Sequence, residues 1–218
     1  MEEVRQVPGL TLVALPYVSK DGFTGPTVRS IINSFASGAM GRVSFLMIGD
    51  KTQVAARNEA CRAAISTGAE YLFFVDSDQD FPVDALKRLK AVDADVACAD
   101  MWSRSWPSYR IVFGTENVDG KYSPISDDVA VAGGVSDVGY CGMGCTLIKV
   151  SVLRQLEEKY PDQPWFWAAH NGEDATFCFK VREIGGSVKC DFGLKSGHWS
   201  TCRMMGQEFT RNPEALFG

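Results

Sequence analysis

The first half of the chain alternates between short apolar runs, typical of strands, and longer segments with apolar residues at helical spacing. The strand-type runs are residues 10–15, 43–48, 71–75 and 95–99, and the helix-type segments are residues 27–36, 52–68 and 83–91. Alternating strands and helices are typical of an α/β sheet with right-handed crossover connections. The pattern therefore predicts the α/β fold class.

The second half is less regular and has more loops. It contains strand-type runs at 110–113, 129–131 and 146–149 and helix-type segments at 151–159 and 173–184. We find no repeat and no linker long enough to separate two domains. With 218 residues, of which 45% are hydrophobic, the chain has enough apolar surface for one core of its own. We therefore expect a single domain.

The charge balance argues against a protein that coats nucleic acid through bulk charge. The chain has 22 basic and 27 acidic residues, a formal net charge of -5, whereas such binding needs many cations to neutralise phosphates. Residues 179–211 are locally basic, which leaves open a basic groove. No apolar run approaches the roughly 20 residues that a membrane span needs, so we expect no transmembrane segment.

The seven cysteines lie mostly in apolar stretches and are odd in number. Because no apolar leader opens the chain, we expect free buried thiols in a reducing cytoplasm. A zinc site formed by Cys190, His198 and Cys202 is the alternative, although no paired CxxC motif supports it. His198 is either a metal ligand or a buried, hydrogen-bonded histidine.

Asp76, Ser77 and Asp78 follow directly after the apolar run 71–75. Residues separated by one on an extended backbone point the same way, so the two carboxylates can converge on one cation. In open α/β sheets ligands gather beyond the carboxyl ends of strands, and hard oxygen ligands suit Mg²⁺ or Mn²⁺ bound to phosphate. The alternative is a plain turn with Asp80 as a helix cap. The location favours the metal site.

Two further groups of polar residues are candidates for binding or catalysis. Arg57, followed by Asn58, lies early in the second helix, where a guanidinium binds a phosphate, stacks on a base or is simply solvated. Asn171 is a good helix cap, and Glu173 and Asp174 suit the first turn of the helix that follows. A carboxylate fixed at that point also meets the requirements of a general base.

Two motifs have both a structural and a functional interpretation. The loop containing Gly142, Met143 and Gly144 permits either close approach to a ligand or a tight bend. It lacks a following helix, so it is neither a P-loop nor a dinucleotide fingerprint. Trp165 and Trp167 either stack on a sugar or base or pack in the core.

Taken together, these motifs resemble those of nucleotide-sugar glycosyltransferases of the GT-A fold, most closely the family 2 type, over residues 10–199. The resemblance rests on their order: Pro16 after the first strand, Ala56-Arg57-Asn58, residues 71–78 followed by Phe81-Pro82, residues 142–145, Glu173-Asp174 and Gly197-His198. It implies one domain with a mixed, Rossmann-like sheet flanked by helices. Residues 8–100 would form its nucleotide-binding half, residues 101–199 its acceptor-binding and catalytic half, and residues 200–218 a C-terminal tail.

The resemblance also implies roles for individual residues. Those expected to bind the nucleotide are Pro16, Tyr17, Arg57, Asp76 and Ser77. Those expected to hold Mn²⁺ or Mg²⁺ are Asp76, Asp78 and His198. Those expected to contact the acceptor or the sugar are Gly142, Met143, Gly144, Trp165 and Trp167. Asp174, with Glu173 beside it, would be the base that takes the proton from the acceptor hydroxyl.

The activity implied is transfer of a sugar from a nucleotide-diphosphate sugar, a UDP- or GDP-sugar, to a hydroxyl acceptor. Membrane helices and the Gln/Arg-x-x-Arg-Trp motif of family 2 polymerases are missing, which argues against a polysaccharide synthase. The short form resembles enzymes of tailed phages and bacterial glycan loci, so we expect a cytoplasmic protein of a bacterium or an infected host cell. Phage relatives act on modified bases, which suggests a hydroxymethylated pyrimidine in DNA as the acceptor.

Three alternatives remain open. In the first, the acceptor is a glycan or a small molecule of a bacterial locus. In the second, the chain is a nucleotidyltransferase on a similar sheet, although residues 19–22 are too short for the basic, glycine-rich loop that such an enzyme needs after its first strand. In the third, the chain is a nucleotide-sugar binder without activity. Release of free nucleoside diphosphate from a donor would exclude this last alternative.

Overall fold

The computed structural model describes residues 6–105, 107–116, 122–168, 172–199 and 203–204, the last pair and residues 115, 116 and 127 by their backbone alone. Its elements are β1 (Val7–Tyr17), α1 (Gly25–Ala36), β2 (Val43–Gly49), α2 (Gln53–Ser66), β3 (Ala69–Val75), β4 (Gln79–Asp80), α3 (Ala85–Ala91), β5 (Val96–Met101), β6 (Val112–Glu116), β7 (Tyr122–Pro124), α4 (Asp127–Ala132), β8 (Val135–Asp137), β9 (Tyr140–Cys141), β10 (Cys145–Lys149), α5 (Val150–Lys159), α6 (Glu173–Glu183), β11 (Val188–Trp199) and β12 (Arg203–Met204).

The main sheet has the order β12-β11-β5-β10-β3-β1-β2, and β4 and β8 pair with β11 beside this path. Strand β1 runs parallel to β2 and β3, β10 is antiparallel to both of its neighbours, and β11 is parallel to β5. A separate sheet has the order β7-β6-β9. The fold is therefore α/β with a mixed sheet flanked by helices, as predicted.

The strand directions bring several chain segments to one edge of the sheet. Because β10 is antiparallel to both β3 and β5, these two strands run the same way, and β1, β2 and β11 run with them. The strand ends Tyr17, Gly49, Val75, Met101 and Trp199 therefore share this edge. In open α/β sheets it is the edge where ligands bind.

The core is densest around β3, where residues 72–75 are completely buried. Phe74 packs edge-to-face on Phe166, with ring centroids 5.9 Å apart, and Phe166 stacks on Phe177 of α6 at 4.3 Å. Phe166 is also held by its backbone, since its N–H and C=O both bind the amide of Asn58. These contacts fix the segment before α6 against the sheet.

The helices predicted in the first half are confirmed, together with a capping residue. Thr52 caps α2, its hydroxyl oxygen accepting a hydrogen bond from the Ala55 N–H at 3.3 Å. Strand β1 is longer than predicted because it continues through Pro16 to Tyr17. The apolar residues at helical spacing in α1 are an exception to the usual burial pattern, since Val28, Ile32 and Phe35 are exposed.

Two predictions for the second half are corrected by the structure. Residues 129–131, predicted as a strand, lie in α4, which follows an extended Ser126 and ends at Gly133 with φ 69°. Val129 and Val131 suggested a strand, but both are exposed on the helix. Strand β11 was not predicted, because Gly193 and Gly197 interrupt its apolar pattern.

The cysteines within the described residues are free and buried: Cys61, Cys98, Cys141, Cys145, Cys178 and Cys190. This agrees with the prediction of buried thiols, while Cys202 of the zinc alternative lies outside the described residues. In the described part of the chain, no helix has the length and apolar character to cross a membrane.

We predict that Phe166→Ala destabilises the protein by about 3–5 kcal/mol, because the ring is fully buried between Phe74 and Phe177 and its loss leaves a cavity. Urea unfolding gives the free energy. Phe179→Ala is the matched control, since Phe179 is exposed on α6 and its truncation should cost less than about 1 kcal/mol. Equal losses in the two variants would contradict this account of the core.

Candidate active site

A cavity of about 500 Å³ opens at the carboxyl ends of the parallel strands. Its lining residues are Pro16, Tyr17, Val18, Asp21, Gly22, Thr24, Ile48, Lys51, Gln53, Ala56, Asp76, Ser77, Asp78, Arg104, His198 and Trp199. The structure thus brings together Pro16, Tyr17, Asp76, Ser77, Asp78 and His198, which the sequence analysis had proposed from three distant segments.

Tyr17 forms an aromatic wall of this cavity. Its ring lies 5.3 Å from the ring of Phe23 between centroids and packs directly on Gly49. A Cβ at position 49 would lie 2.8 Å from the Tyr17 hydroxyl, so glycine is required there for the ring to occupy this position. The wall is therefore built by the adjacent ends of β1 and β2.

A bulge in β11 places His198 close to Asp78. The register of β11 against β5 shifts between Asp191 and Lys195, after which β11 pairs with β4, directly beyond Asp78. The Trp199 N–H donates to the Asp78 carbonyl at 2.7 Å. These backbone contacts place His198 Nε2 3.3 Å from Asp78 Oδ1.

The hydrogen bonds of His198 make this pair a fitting site for a cation. Nδ1 lies 2.8 Å from the carbonyl of Trp102, an acceptor, so Nδ1 carries a proton. Nε2 then either donates a hydrogen bond to the Asp78 carboxylate or faces it with a lone pair, in which case two acceptors meet. A metal ion between the two would satisfy both, and a histidine oriented by a backbone carbonyl is typical of metal ligands.

Asp78 is held in its charged form. Burial raises the pKa of its carboxyl, but the hydrogen bond with His198 and the charges of His198 and Arg104 outweigh burial, so the pKa lies below its ordinary value. Arg104, which is exposed, places Nη1 2.7 Å from Asp78 Oδ2. The carboxylate is thus shared between a histidine and an arginine.

Asp76 points to a different partner. Both of its carboxylate oxygens lie 3.3 Å from the Arg57 guanidinium, which turns the side chain toward α2. Within the described residues, no three His, Cys, Asp or Glu side chains are placed to share one metal ion. The predicted ligands Asp78 and His198 therefore lie together, whereas Asp76 is engaged elsewhere.

Arg57 is completely buried and bridges two carboxylates. Besides Asp76, its Nε lies 3.3 Å from Asp174 Oδ1, and its guanidinium lies 5.1 Å from the centroid of Phe74. Burial lowers the pKa of Arg57, but the charges of Asp76 and Asp174 outweigh it, so the pKa is raised. Direct contact of Arg57 with a nucleotide stays a prediction, and it would require these pairs to open.

Asp174 is a carboxylate with an unusual environment. Its Oδ2 accepts a hydrogen bond from the Met143 N–H at 3.2 Å, while no described group donates to its buried Oδ1. Burial raises the pKa of Asp174 to about 7; the charge of Arg57 opposes this, and those of Glu173 and Asp76 add to it. The side chain remains 22% exposed. A carboxylate with these properties can exchange a proton near neutral pH.

The loop of residues 142–144 forms hydrogen bonds with both Asp76 and Asp174. The Asp76 N–H donates to the Gly144 carbonyl at 3.0 Å, and the neighbouring Met143 N–H binds Asp174. A Cβ at Gly144 would lie 2.8 Å from Cγ of Gln79, and one at Gly142 2.7 Å from Cδ1 of Ile111. Both glycines are thus required by packing. Contact of this loop with an acceptor or sugar stays a prediction.

The two tryptophans differ in their surroundings. Trp165 is nearly buried and donates its Nε1–H to the Leu153 carbonyl at 2.9 Å, which is core packing. Trp167 is exposed and lies within 5.6 Å of the Lys180 ammonium, measured from its ring centroid. Their proposed role toward an acceptor stays a prediction, as do the functions of the tail and of Asn171, which lie outside the described residues.

Sequence reasoning missed five polar residues of the cavity: Asp21, Thr24, Lys51, Gln53 and Arg104. Gln53 lies one helical turn before Arg57, and with its amide turned so that both of its polar atoms are satisfied, its oxygen accepts from Arg57 Nη2 at 2.8 Å and its nitrogen donates to Glu173 Oε1 at 3.2 Å. The four-residue spacing was a usable signal. Arg104 follows the end of β5, which is another strand end at the same edge.

Comparison with known proteins supports the fold. No protein-family model matches the chain, and no curated protein does. Among solved structures, A197 from STIV is similar over 87% of this chain and 85% of its own, with 17% identity and a TM-score of 0.54. GalNAc-T7, solved with UDP, GalNAc and Mn²⁺, is similar over 94% of this chain and 45% of its own, with 12% identity and a TM-score of 0.54.

At these identities the similarity concerns the fold alone. The chain spans less than half the length of GalNAc-T7 and most of A197. Together with the sheet topology, the two structures establish a single-domain, GT-A-like α/β fold. This is the fold that the motif resemblance implied.

We predict that the pKa of Asp174 makes stability depend on pH. An unfolded aspartate has a pKa near 3.9, so between about pH 4 and 7 the folded state binds more protons, and stability is lost as the pH rises through this window. A shift of this size corresponds to roughly 4 kcal/mol. Asp174→Asn cannot ionise, so its stability relative to the wild type should increase from pH 4 to 8. Urea unfolding across this range measures it, and a constant difference would contradict the assignment.

Proposed function

We propose that the chain is a metal-dependent glycosyltransferase that moves a sugar from a nucleotide-diphosphate sugar to a hydroxyl acceptor. The observation that carries this proposal is the presence of two different carboxylates: Asp78 lines the cavity, and Asp174, which does not line it, contacts Arg57, the partner of Asp76 in the cavity. Asp78 is held ionised beside His198, whereas Asp174 has a pKa of about 7. A transferase of this kind needs one group to hold a metal diphosphate and another to accept a proton.

The cavity suits a nucleotide donor in size and chemistry. Its volume of about 500 Å³ is within the range of small-ligand sites. Pro16 and the Tyr17 ring offer an apolar surface for a base, and the ribose and diphosphate would extend over Ser77 toward Asp78. The presence of UDP in the GalNAc-T7 structure makes a UDP-sugar the first donor to test, and a GDP-sugar the second.

The residues present fit a divalent cation held by Asp78 and His198, and we propose Mn²⁺ or Mg²⁺, as in the GalNAc-T7 structure with Mn²⁺. When bound, such a cation neutralises charge that develops on the leaving diphosphate. Imidazole nitrogen and carboxylate oxygen are both ligands that Mn²⁺ accepts. The backbone bond from Trp199 to the Asp78 carbonyl keeps the two side chains together before any ligand arrives.

Asp174 is the proposed general base. Burial keeps its carboxyl protonated at low pH, so it becomes a base only near neutrality. The Met143 N–H and Arg57 hold the carboxylate in one orientation. When Asp174 takes a proton from the acceptor hydroxyl, Arg57 remains paired with Asp76, so the buried guanidinium is not left without a counterion.

The acceptor is proposed from two classes: a hydroxymethylated pyrimidine in DNA, and a glycan or small molecule. The basic stretch of residues 179–211 would accommodate DNA, but Lys180 is buried on the Pro164 carbonyl and Lys195 pairs with Asp100. These two lysines are therefore engaged within the protein. Parallel assays with modified duplex DNA and with glycan acceptors would separate the classes.

We predict that Asp78→Ala and Asp174→Asn fail at different steps. Asp78→Ala should lose metal-dependent donor binding and turnover, whereas Asp174→Asn should bind the donor normally but transfer about 10²- to 10⁴-fold more slowly, because only the proton acceptor is removed. Release of UDP or GDP in the presence of Mn²⁺ measures turnover, and thermal shift measures donor binding.

Asp162→Asn, in an exposed loop, is the control and should behave like the wild type in both assays. Full activity in both site variants would overturn the proposal. A donor that binds but is never cleaved by the wild type, with any acceptor, would instead favour a nucleotide-sugar binder. Release of pyrophosphate from a nucleoside triphosphate and a sugar phosphate, with no cleavage of a nucleotide-diphosphate sugar, would favour a nucleotidyltransferase.

We predict that Arg104 competes with the metal. Its Nη1 lies 2.7 Å from Asp78 Oδ2, so a cation bound to Asp78 must displace it. An exposed ion pair is worth up to about 1 kcal/mol, so Arg104→Ala should bind Mn²⁺ about 2- to 5-fold more tightly without nucleotide. Titration calorimetry measures this, with Lys87→Ala on α3 as the control. Weaker Mn²⁺ binding by Arg104→Ala would contradict the competition.

A further inference from the structure

Strand β2 is the last strand of the main sheet, and its outer edge is free among the described residues. The Thr11 N–H donates to the Arg42 carbonyl, and the Asp50 N–H donates to the Tyr17 carbonyl. Even-numbered residues therefore direct their backbone groups toward β1. By alternation along the strand, the N–H and C=O groups of Val43, Phe45, Met47 and Gly49 point outward.

This edge lacks the devices that normally prevent edge-to-edge pairing. Natural proteins protect such strands with lysine, proline, bulges or a covering element. The seven residues of β2, VSFLMIG, contain no charge and no proline, and the register against β1 is regular throughout. Phe45 and Met47 are 41% and 58% exposed. An edge of this composition is suited to pairing with another strand.

The apolar surface continues from β2 onto α1. The ring of Phe35 packs edge-to-face on Phe45, with centroids 5.9 Å apart, although Phe35 is itself 59% exposed and Ile32 58% exposed. Meanwhile Thr27 and Ser34 of the same helix are buried. The helix thus presents apolar residues outward, beside an open strand edge, which is typical of a protein interface.

We propose that this face binds a second copy of the chain, with the two β2 strands paired antiparallel about a twofold axis at Leu46. In this register Leu46 lies opposite itself, Phe45 opposite Met47 and Val43 opposite Gly49. The outward-pointing backbone groups then face each other as hydrogen-bonded pairs. The main sheet becomes continuous across the dimer.

Three features favour a second copy over a different partner. Arg42 and Asp50, both exposed, flank the strand. In this register Arg42 of one copy lies opposite Asp50 of the second copy. Phe45 and Met47 meet across the strands on the same face, where sulfur and aromatic ring attract each other. A surface complementary to itself under a twofold rotation is the requirement for an isologous dimer.

The register is tested by disulfide trapping in the full chain. Directly opposed residues of a non-hydrogen-bonded pair have Cα atoms about 4.5 Å apart, within the range of a disulfide. Leu46→Cys should therefore form a covalent dimer under mild oxidation. Ser44→Cys is the matched control, since its two copies would lie about 14 Å apart, four residues out of register, and should not crosslink.

Light scattering on the wild type should give twice the chain mass of 23.8 kDa. Met47→Lys should lower the dimer fraction by more than tenfold without changing the circular dichroism, because it places a charge in the apolar pair with Phe45. Val131→Lys, at a still more exposed position on α4, should leave the dimer intact. A monomeric wild type, as expected if another part of the chain covers β2, would overturn the proposal. Equal crosslinking of Leu46→Cys and Ser44→Cys, or a dimer that survives Met47→Lys, would do the same.

Discussion

The candidate site depends on one buried cation, the guanidinium of Arg57. Removing such a group from water costs several kcal/mol unless it is fully paired, and here Asp76, Asp174 and Gln53 supply the partners. These partners come from the residue after β3, from α6 and from α2, and α6 lies far from the other two elements in sequence. The pairing energy of Arg57 is therefore also what holds the start of α6 against the end of β3.

Burial and different charged neighbours explain why Asp174 and Asp78 behave differently. Asp174 keeps a pKa of about 7 because burial outweighs the attraction of Arg57, and the charges of Glu173 and Asp76 add to that effect. Asp78 lies outside this group and is stabilised instead by His198 and Arg104. One side of the site thus holds a permanent negative charge, while the other gains and loses a proton near neutrality.

Sequence patterns predicted the features that depend on neighbouring residues and missed those that depend on contacts between distant segments. The position of Asp78 followed from the apolar run before it, and the cap of α2 followed from Thr52. The burial of Arg57 and the arrival of His198 depend on packing between distant segments and on a bulge in β11, for which no local signal exists. The apolar spacing of α1 marked an amphipathic helix correctly, but spacing alone does not say what covers the apolar side.

The exposed apolar side of α1 and the aromatic wall of the cavity are connected through β2. The Tyr17 ring packs on Gly49 at the end of this strand, and the adjacent Asp50 accepts hydrogen bonds from the N–H and hydroxyl of Ser19. Residues 17–19 are thus anchored on the end of the strand that we propose to pair. Because strand pairing restrains the backbone at both ends, a dimer formed through β2 would restrain the Tyr17 wall of the cavity.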